Sequence, residues 1–336
     1  MKKALSFDDV LLVPQFSDLT SRQDANIGSE LDSSHKFSLP VISSPMDTVT
    51  EVNMARAMHK AGGLGIIHRY NEPAAQVRIL AEADVPAAVA IGMNGDYMQR
   101  AETAIKFGCT ILCVDVAHGH HVMMEKCLKS LKDRFGSNVH VMAGNVATLD
   151  AFETLSAWGA DSVRVGIGGG SICSTRLVSG HGVPTLASIM DCAQTTSDTK
   201  IIADGGVKTT GDMVKALAAG ADFVMVGSML AGTKESPGDV FKNTDGKQYK
   251  VYRGMASSDA QKDWRGKSTT PEGISTTVSY KGSVGKILAD VDGGIKSGLS
   301  YSGARTISEL QAKSQFIIQT IAGQSESFTH ILARNK

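Results

Sequence analysis

Eight short apolar stretches recur along the chain, and each is followed by a more polar segment. Most are almost continuously hydrophobic, which is typical of parallel strands that are buried on both faces. The pattern therefore predicts eight strands, at residues 39–44, 64–69, 87–92, 111–117, 140–146, 162–168, 200–206 and 223–228.

Helical periodicity lies between the predicted strands. Apolar side chains recur near one face of residues 51–61, and residues 96–107 and 211–219 have similar patterns. Gly220 follows the last of these as a helix-terminating glycine. Eight alternations of strand and helix predict an α/β fold, a (β/α)8 TIM barrel, with all 336 residues in one domain. An open, doubly wound sheet is the alternative architecture.

Two regions fall outside this repeat. One is an N-terminal arm, residues 1–38. The other is residues 235–300, which are rich in Gly, Ser, Thr, Lys and Asp. We expect a long flap there, because loops of this length in a compact domain usually act as lids or lack order. A final helix is predicted at residues 307–314.

Composition narrows the classes of partner. Lys plus Arg and Asp plus Glu both number 34, so no basic tail or stripe indicates nucleic-acid binding. The first residues lack the apolar stretch of a signal peptide, and no run is long enough to span a membrane. The five cysteines match no disulfide or zinc pattern, and Cys109 and Cys113 are expected to be buried thiols. A reducing cytoplasm is the expected location.

Glycine and polar residues cluster where the predicted strands end, which is the active face of a barrel. The turns Asp204-Gly205-Gly206 and Gly227-Ser228 follow strands seven and eight, the usual phosphate site of such barrels. Backbone N–H groups could hold the anion there without a basic patch. Asp204 is too acidic to face phosphate and suits a ribose hydroxyl, while Asp115 ends strand four with its carboxylate available to a ribose or an amide.

A glycine-rich loop follows strand six and carries Cys173. Residues 166–182 are predicted to be a mobile catalytic loop, in which Cys173 acts as a nucleophile because polar residues flank it on both sides. Carbonyl oxygens of such a loop could also bind a monovalent cation. A buried thiol is the plainer alternative for a lone cysteine.

Histidines raise the question of a metal. His118-Gly119-His120-His121 is compact, and His68 ends strand two, but no carboxylate or cysteine pattern supports zinc. We interpret the motif as a polar turn at the end of a strand.

These motifs closely resemble the family of IMP dehydrogenases and GMP reductases over almost the whole chain, from Phe7 to Ala304. The resemblance is carried by Ser44-Pro45-Met46-Asp47-Thr48-Val49, Gly166–Arg176, Ala203-Asp204-Gly205-Gly206, Gly227-Ser228-Met229-Leu230-Ala231-Gly232 and Tyr252-Arg253-Gly254-Met255. It implies a (β/α)8 barrel, usually in a homotetramer, that binds GMP or IMP and a nicotinamide cofactor.

The resemblance also implies residue roles. Cys173 would attack carbon 2 of the purine, and Asp204 would hold the ribose. Phosphate would be bound by Ser171, Gly206, Gly227, Ser228 and Tyr252, and Gly205 would also belong to the substrate site. The nucleotide pocket would be lined by Ser44 and Met46, with Gly254, Met255 and the turn at Ala256 near the base. A potassium ion would lie at the carbonyls of Gly168, Gly170 and Cys173.

Both enzymes of the family pass through a covalent thioimidate on the cysteine, so other residues must separate them. Dehydrogenases hydrolyse the adduct with an Arg-Tyr pair in a long flap, but residues 254–273 contain no such pair and number only 20. The arm at residues 17–22 and the stretch 261–265 also resemble reductases, and no segment could hold a CBS-domain pair. We therefore expect a GMP reductase that uses NADPH.

In that reaction, Thr175 and Glu272 would relay a proton to the departing ammonia. The cofactor would lie against Asp115, Ala117, His118 and Asn145.

Other features resemble dehydrogenases, namely residues 46–50, 62–68, 270–274 and 322–327. The alternative is therefore an IMP dehydrogenase that lacks CBS domains, uses NAD and takes Arg265 or Thr175 as its base. A non-catalytic nucleotide-binding barrel is a third possibility.

Overall fold

The computed structural model describes Met1 and residues 3–327. Its centre is a closed barrel of eight parallel strands in the order β7-β8-β1-β2-β3-β4-β5-β6, which confirms the predicted TIM barrel. The strands are β1 (Val41–Ser43), β2 (Leu64–Ile67), β3 (Ala88–Ile91), β4 (Ile111–Asp115), β5 (His140–Val146), β6 (Ser162–Val165), β7 (Lys200–Asp204) and β8 (Phe223–Val226).

The strands are largely apolar because both of their faces are covered. In β2, Leu64 and Ile66 point into the barrel interior, where they join a cluster with Ile42, Met142 and Phe223. Ile67 belongs instead to the larger cluster between the strands and the surrounding helices. Most predicted strands are too long at their carboxyl ends, since the residues there form the loops of the site.

Helices surround the barrel. The four helices predicted from the sequence are present, and their ends differ from the predicted ends by at most one residue. The helices are α1 (Val52–Lys60), α2 (Pro73–Ala83), α3 (Tyr97–Lys106), α4 (Val122–Phe135), α5 (Leu149–Ala157), α6 (Thr175–Ser179), α7 (Thr185–Cys192), α8 (Thr210–Ala218), α9 (Ser258–Arg265), α10 (Val284–Tyr301), α11 (Ile307–Lys313) and α12 (Ile321–Glu326). The short helix α6 lies inside the predicted catalytic loop, and α12 follows the helix expected to be the last.

The predicted flap is shorter than residues 235–300, because α10 occupies its last part and packs on α8 as the eighth barrel helix. Its buried residues recur every three or four positions, a helical signal that the polar composition of the segment concealed. The glycines of α10 allow close packing, since a Cβ on Gly298 would lie 2.5 Å from the Val214 side chain. The remaining flap contains α9 and a three-stranded antiparallel sheet of Phe241–Lys242, Gln248–Arg253 and Ser275–Ser279.

The N-terminal arm wraps around the barrel. Strand Val10–Leu12 pairs antiparallel with Phe316–Ile318 near the C-terminus. A hairpin of Ser29–Glu30 and Lys36–Phe37 covers the amino-terminal end of the barrel, where Phe37 packs edge-on against Phe223 at 5.7 Å. Among the described residues, no helix has both the length and the hydrophobicity needed to cross a membrane.

Candidate active site

A cavity of about 1290 Å³ opens at the carboxyl ends of the strands. Its volume exceeds the roughly 300–1,000 Å³ of most single-ligand pockets. Every residue that the sequence assigned to substrate, cofactor, catalysis or potassium lines it. The loops after the barrel strands and the flap therefore converge on one site with room for two ligands.

Cys173 differs from the other cysteines in its exposure. Its thiol donates a hydrogen bond to Oγ1 of Thr175 at 3.2 Å, while the other four cysteines are buried. Burial raises the pKa of Cys109 to about 11 and that of Cys127 to about 12, so these thiols stay protonated and unreactive. Cys109 and Cys113 are buried as predicted.

The flap pairs with the catalytic loop through backbone hydrogen bonds on both sides of Cys173. The N–H of Ser174 donates to the carbonyl of Glu272 at 2.9 Å, and the N–H of Ile274 donates to the carbonyl of Ile172 at 3.0 Å. Cys173 itself forms an antiparallel bridge with Gly273. This pairing places Glu272 beside the loop that carries the thiol and the Thr175 hydroxyl.

The expected phosphate end of the cavity is built around Gly227. A Cβ there would lie 3.2 Å from the sulfur of Met46, 3.2 Å from the Tyr252 hydroxyl and 3.5 Å from Ser44 Oγ. Burial raises the pKa of Tyr252, while a hydrogen bond with Ser171 opposes the shift, so its hydroxyl stays a hydrogen-bond donor. Residues from the flap and from the loops after β1, β6 and β8 thus meet at one point.

Two glycines after β7 have positive φ angles, 89° at Gly205 and 81° at Gly206. A Cβ on Gly205 would lie 3.1 Å from the backbone nitrogen of Gly170. The loops after β6 and β7 therefore approach backbone to backbone, which glycine alone permits without strain.

Arg164 is the main residue that the sequence analysis missed. It lies in the middle of β6 with 8% of its side chain exposed, and its guanidinium joins two carboxylates. Nη1 donates to Asp115 Oδ1 at 2.5 Å and Nη2 donates to Asp204 Oδ2 at 2.8 Å. A charged residue in the otherwise apolar sequence Ser162-Val163-Arg164-Val165 was the available signal.

The carboxylate of Asp115 is less available than predicted. Its Oδ1 accepts from Arg164, and its Oδ2 accepts from the Tyr70 hydroxyl at 3.3 Å. Burial favours the neutral acid, but the charges of Arg164 and Arg69 outweigh it and lower the pKa of Asp115. The expectation of a free strand-end carboxylate is corrected to an ionised, paired one.

Asp204 keeps one oxygen for a ligand. Arg164 and the Asn145 side chain, at 2.8 Å, both donate to its Oδ2. Within the described part of the chain, Oδ1 accepts no hydrogen bond. Oδ1 can therefore accept a hydrogen bond from a ribose hydroxyl.

An aromatic cluster joins the flap to the end of β2. The Trp264 ring meets the Tyr70 ring edge-on at 5.1 Å, and the Arg69 and Arg265 guanidinium groups lie 5.6 and 4.2 Å from its centre. Nε1 of Trp264 is buried without a hydrogen-bond partner among the described residues. Neither Trp264 nor Tyr70 was singled out from the sequence.

Arg253 fixes the flap to the loop after β1. Its guanidinium donates to Asp47 at 2.6 Å and to Asp263 in α9 at 2.5 Å. The motif that contains Arg253 was recognised, but this ion-pair role was not.

The histidines serve mainly as turn and packing residues. His121 caps α4 by accepting the N–H of Met123 at 3.1 Å, and His68 is buried against Glu51 at 3.0 Å. Burial, followed by the charges of neighbouring histidines, lowers the pKa of His118, so it is neutral where it borders the cavity.

Potassium binding stays a prediction. The carbonyl of Gly170 accepts the N–H of Cys173 at 3.1 Å, and the Arg176 side chain packs over Gly168, where a Cβ would lie 2.7 Å from Arg176 Cγ. An ion at these carbonyls would therefore have to coexist with a guanidinium group, so the described loop fits the ion poorly.

The family model described as "IMP dehydrogenase / GMP reductase domain" matches residues 4–330. The chain belongs to this family. Its members are oxidoreductases of purine nucleotide metabolism. The match confirms the resemblance that the motifs indicated.

Relatives of both names are found in this family. The chain is 34% identical to inosine-5'-monophosphate dehydrogenase of Nitrosopumilus maritimus, covering 98% of each chain. It is 30% identical to GMP reductase of Leishmania major, covering 99% of this chain and 98% of the relative. Both alignments, over 470 and 483 positions, are longer than this chain, so these relatives carry insertions that it lacks.

A solved family structure superposes closely. It is a cysteine-to-alanine variant of GMP reductase from Trypanosoma brucei in complex with guanosine 5'-monophosphate, with a TM-score of 0.94, 30% identity and 98% coverage of each chain. This likeness extends over the barrel and the elements around it.

Proposed function

We propose that this chain is a GMP reductase, which converts GMP, NADPH and two protons to IMP, NADP⁺ and ammonium. The observation that carries the proposal is the pairing of the flap with the catalytic loop. It sets the backbone of Glu272 against Ser174, the residue before Thr175, in a flap whose residues 254–273 contain no Arg-Tyr pair. Glu272 would thus serve the leaving amine in a site that lacks the hydrolytic pair which the resemblance implies for dehydrogenases.

The substrate would bind with its phosphate at the turns around Gly206, Gly227 and Ser228, within reach of Ser171 and the buried Tyr252 hydroxyl. The Oδ1 of Asp204 would accept a hydrogen bond from a ribose hydroxyl, and Arg164 would hold that carboxylate in place. Ser44 and Met46 would contact the nucleotide, and the turn of Gly254, Met255 and Ala256 would face the base.

The chemistry would begin with formation of a bond between the Cys173 sulfur and carbon 2 of guanine. The amino group on that carbon leaves as ammonia once Glu272, through Thr175, has protonated it. The cofactor, when bound, supplies the hydride for carbon 2. The carbon–sulfur bond then breaks, which returns the thiolate and releases IMP.

The cofactor would occupy the part of the cavity between β2, β4 and the flap. Ala117, His118 and Asn145 border this part of the cavity. Asp115 would contact the cofactor directly and would also hold the Tyr70 hydroxyl, which donates to it, in place for the cofactor. The Trp264 ring supplies a flat apolar face and an unpaired N–H. Arg69 and Arg265 supply positive charge beside it, which favours a phosphorylated cofactor such as NADPH.

IMP dehydrogenase is the second candidate, because several of the relatives carry that name at 34–35% identity. Arg265 or Thr175, which both border the cavity, would have to act as the base. Nicotinamide absorbance in two reactions separates the candidates. Consumption of NADPH with GMP supports the reductase, and production of NADH with IMP supports the dehydrogenase. Nucleotide binding without either reaction would leave the non-catalytic nucleotide-binding barrel as the remaining hypothesis.

We also propose a homotetramer, the assembly that the resemblance to the family implies. Light scattering tests the assembly. Turnover with potassium or sodium as the sole monovalent cation tests the potassium site that the resemblance implies.

A further inference from the structure

A second cluster of ligand-type side chains lies at the opposite end of the barrel from the cavity. It consists of Asp32 and His35 in the N-terminal hairpin and His140, the first residue of β5. One ligand atom from each lies within 4.8 Å of the others. We propose that these three residues form a site for a divalent transition-metal ion of the zinc class, which pins the hairpin to the barrel.

The first argument is convergence. Nδ1 of His35 and Nδ1 of His140 lie 2.8 and 2.7 Å from the same oxygen, Oδ2 of Asp32. A tetrahedral ion with bonds of about 2.0–2.1 Å separates its ligands by about 3.3 Å. If small side-chain movements increased these distances by roughly half an ångström, a metal ion could take the place of the protons that the three groups share.

The second argument is the support behind each imidazole. Nε2 of His35 lies 2.8 Å from the Thr110 hydroxyl, and Nε2 of His140 lies 2.8 Å from the Ser162 hydroxyl. Metal-binding histidines usually donate their second ring N–H to such an oxygen, which fixes the tautomer and the ring orientation. Both rings are oriented in this way before any metal binds.

The exposure of the cluster determines how an ion would reach it. The side chain of His140 is fully buried, while 35% of the Asp32 side chain is exposed, so an ion could enter from solvent and keep a water ligand. Two imidazoles and one carboxylate suit zinc. Leu31 and Phe37 of the hairpin pack against the amino-terminal end of the barrel. A metal ion would link the hairpin to β5 through coordination bonds.

Zinc binding to the full-length chain tests the site. The Cys173→Ala background removes the exposed thiol, which would itself bind zinc. We expect about one zinc ion per chain and the visible absorption of tetrahedral Co²⁺. His35→Gln and Asp32→Asn should abolish that absorption and weaken zinc binding by at least about tenfold. Thr110→Val, which removes only a supporting hydroxyl, should weaken it by about tenfold.

His121→Gln is the matched control, because it alters an exposed histidine at the other end of the barrel and should leave binding unchanged. Zinc should also raise the melting temperature of the background protein and slow amide exchange in its residues 29–37. Neither effect should occur in the His35→Gln variant. Equal zinc binding in His35→Gln, or none at micromolar free zinc, would show a hydrogen-bonded cluster only and overturn the proposal.

Discussion

The guanidinium of Arg164 lies 2.5 Å from the carboxylate of Asp115, and only 8% and 13% of the two side chains are exposed. Arg164 binds Asp204 as well. One buried cation therefore sets the positions of two carboxylates that line the cavity. Arg164 thus connects the proposed ribose subsite to the proposed cofactor subsite.

Arg164→Met should destabilise the chain by about 3–5 kcal/mol, because it leaves two buried carboxylates without their cation. Urea unfolding measures the loss. Arg134→Met is the matched control, since Arg134 pairs with Glu102 at the surface and should cost less than about 1 kcal/mol. Equal effects in the two variants would contradict the buried-pair interpretation.

The cost of Arg164→Met should depend on pH. In the parent chain the pKa of Asp115 is lowered, so its ion pair contributes stability above the unfolded pKa of about 4 and loses it as pH falls through the folded value. In the variant, burial without Arg164 raises that pKa instead. The stability gap should widen as pH rises from about 3 to 6, and a constant gap would exclude a role for Asp115 ionisation.

Cys173→Ala should abolish turnover and retain GMP binding. The thiol is proposed to form the bond to the purine, whereas most of the proposed phosphate and ribose contacts lie on other loops. Calorimetry measures GMP affinity, and nicotinamide absorbance measures turnover. Cys127→Ala, which removes a buried thiol, should stay active, and steady turnover in Cys173→Ala would exclude the nucleophile.

Glu272→Gln should slow release of ammonia far more than it weakens GMP binding, by roughly 10²-fold or more in kcat. Its backbone pairing with Ser174 is kept, so the loop should stay in place. Rapid-quench measurement of ammonia gives the rate of this step. Glu125→Gln on the outer helix α4 is the control. A parallel loss of affinity and rate would assign Glu272 to binding alone.

Thr175→Val should lower kcat by about 10²-fold or more with little change in the KM for GMP, because only the hydroxyl beside the Cys173 sulfur is lost. Thr175→Ser keeps a hydroxyl and should restore most of the rate. A large rise in KM, unrescued by serine, would indicate a packing role.

The sequence predicted the barrel and the residues that line the cavity, because strand–helix alternation and strand-end glycines are local patterns. It did not predict Arg164 pairing with Asp115 and Asp204, since these residues lie 49 and 40 positions away from it. Helix α10 was missed for a different reason, because its polar composition obscured buried positions such as Leu288 and Ile295. Contacts between distant loops, such as Tyr70 with Trp264, require the closed barrel.

Trp264→Ala should raise the KM for NADPH by about tenfold or more and change the KM for GMP little, because loss of an aromatic platform costs roughly 1–3 kcal/mol. The chain has two tryptophans, so Trp158→Phe leaves Trp264 as the sole indole probe and should keep full activity. In that variant NADP⁺ should quench the fluorescence, whereas GMP alone should not. Quenching by GMP alone, or an unchanged KM for NADPH in Trp264→Ala, would place the cofactor elsewhere in the cavity.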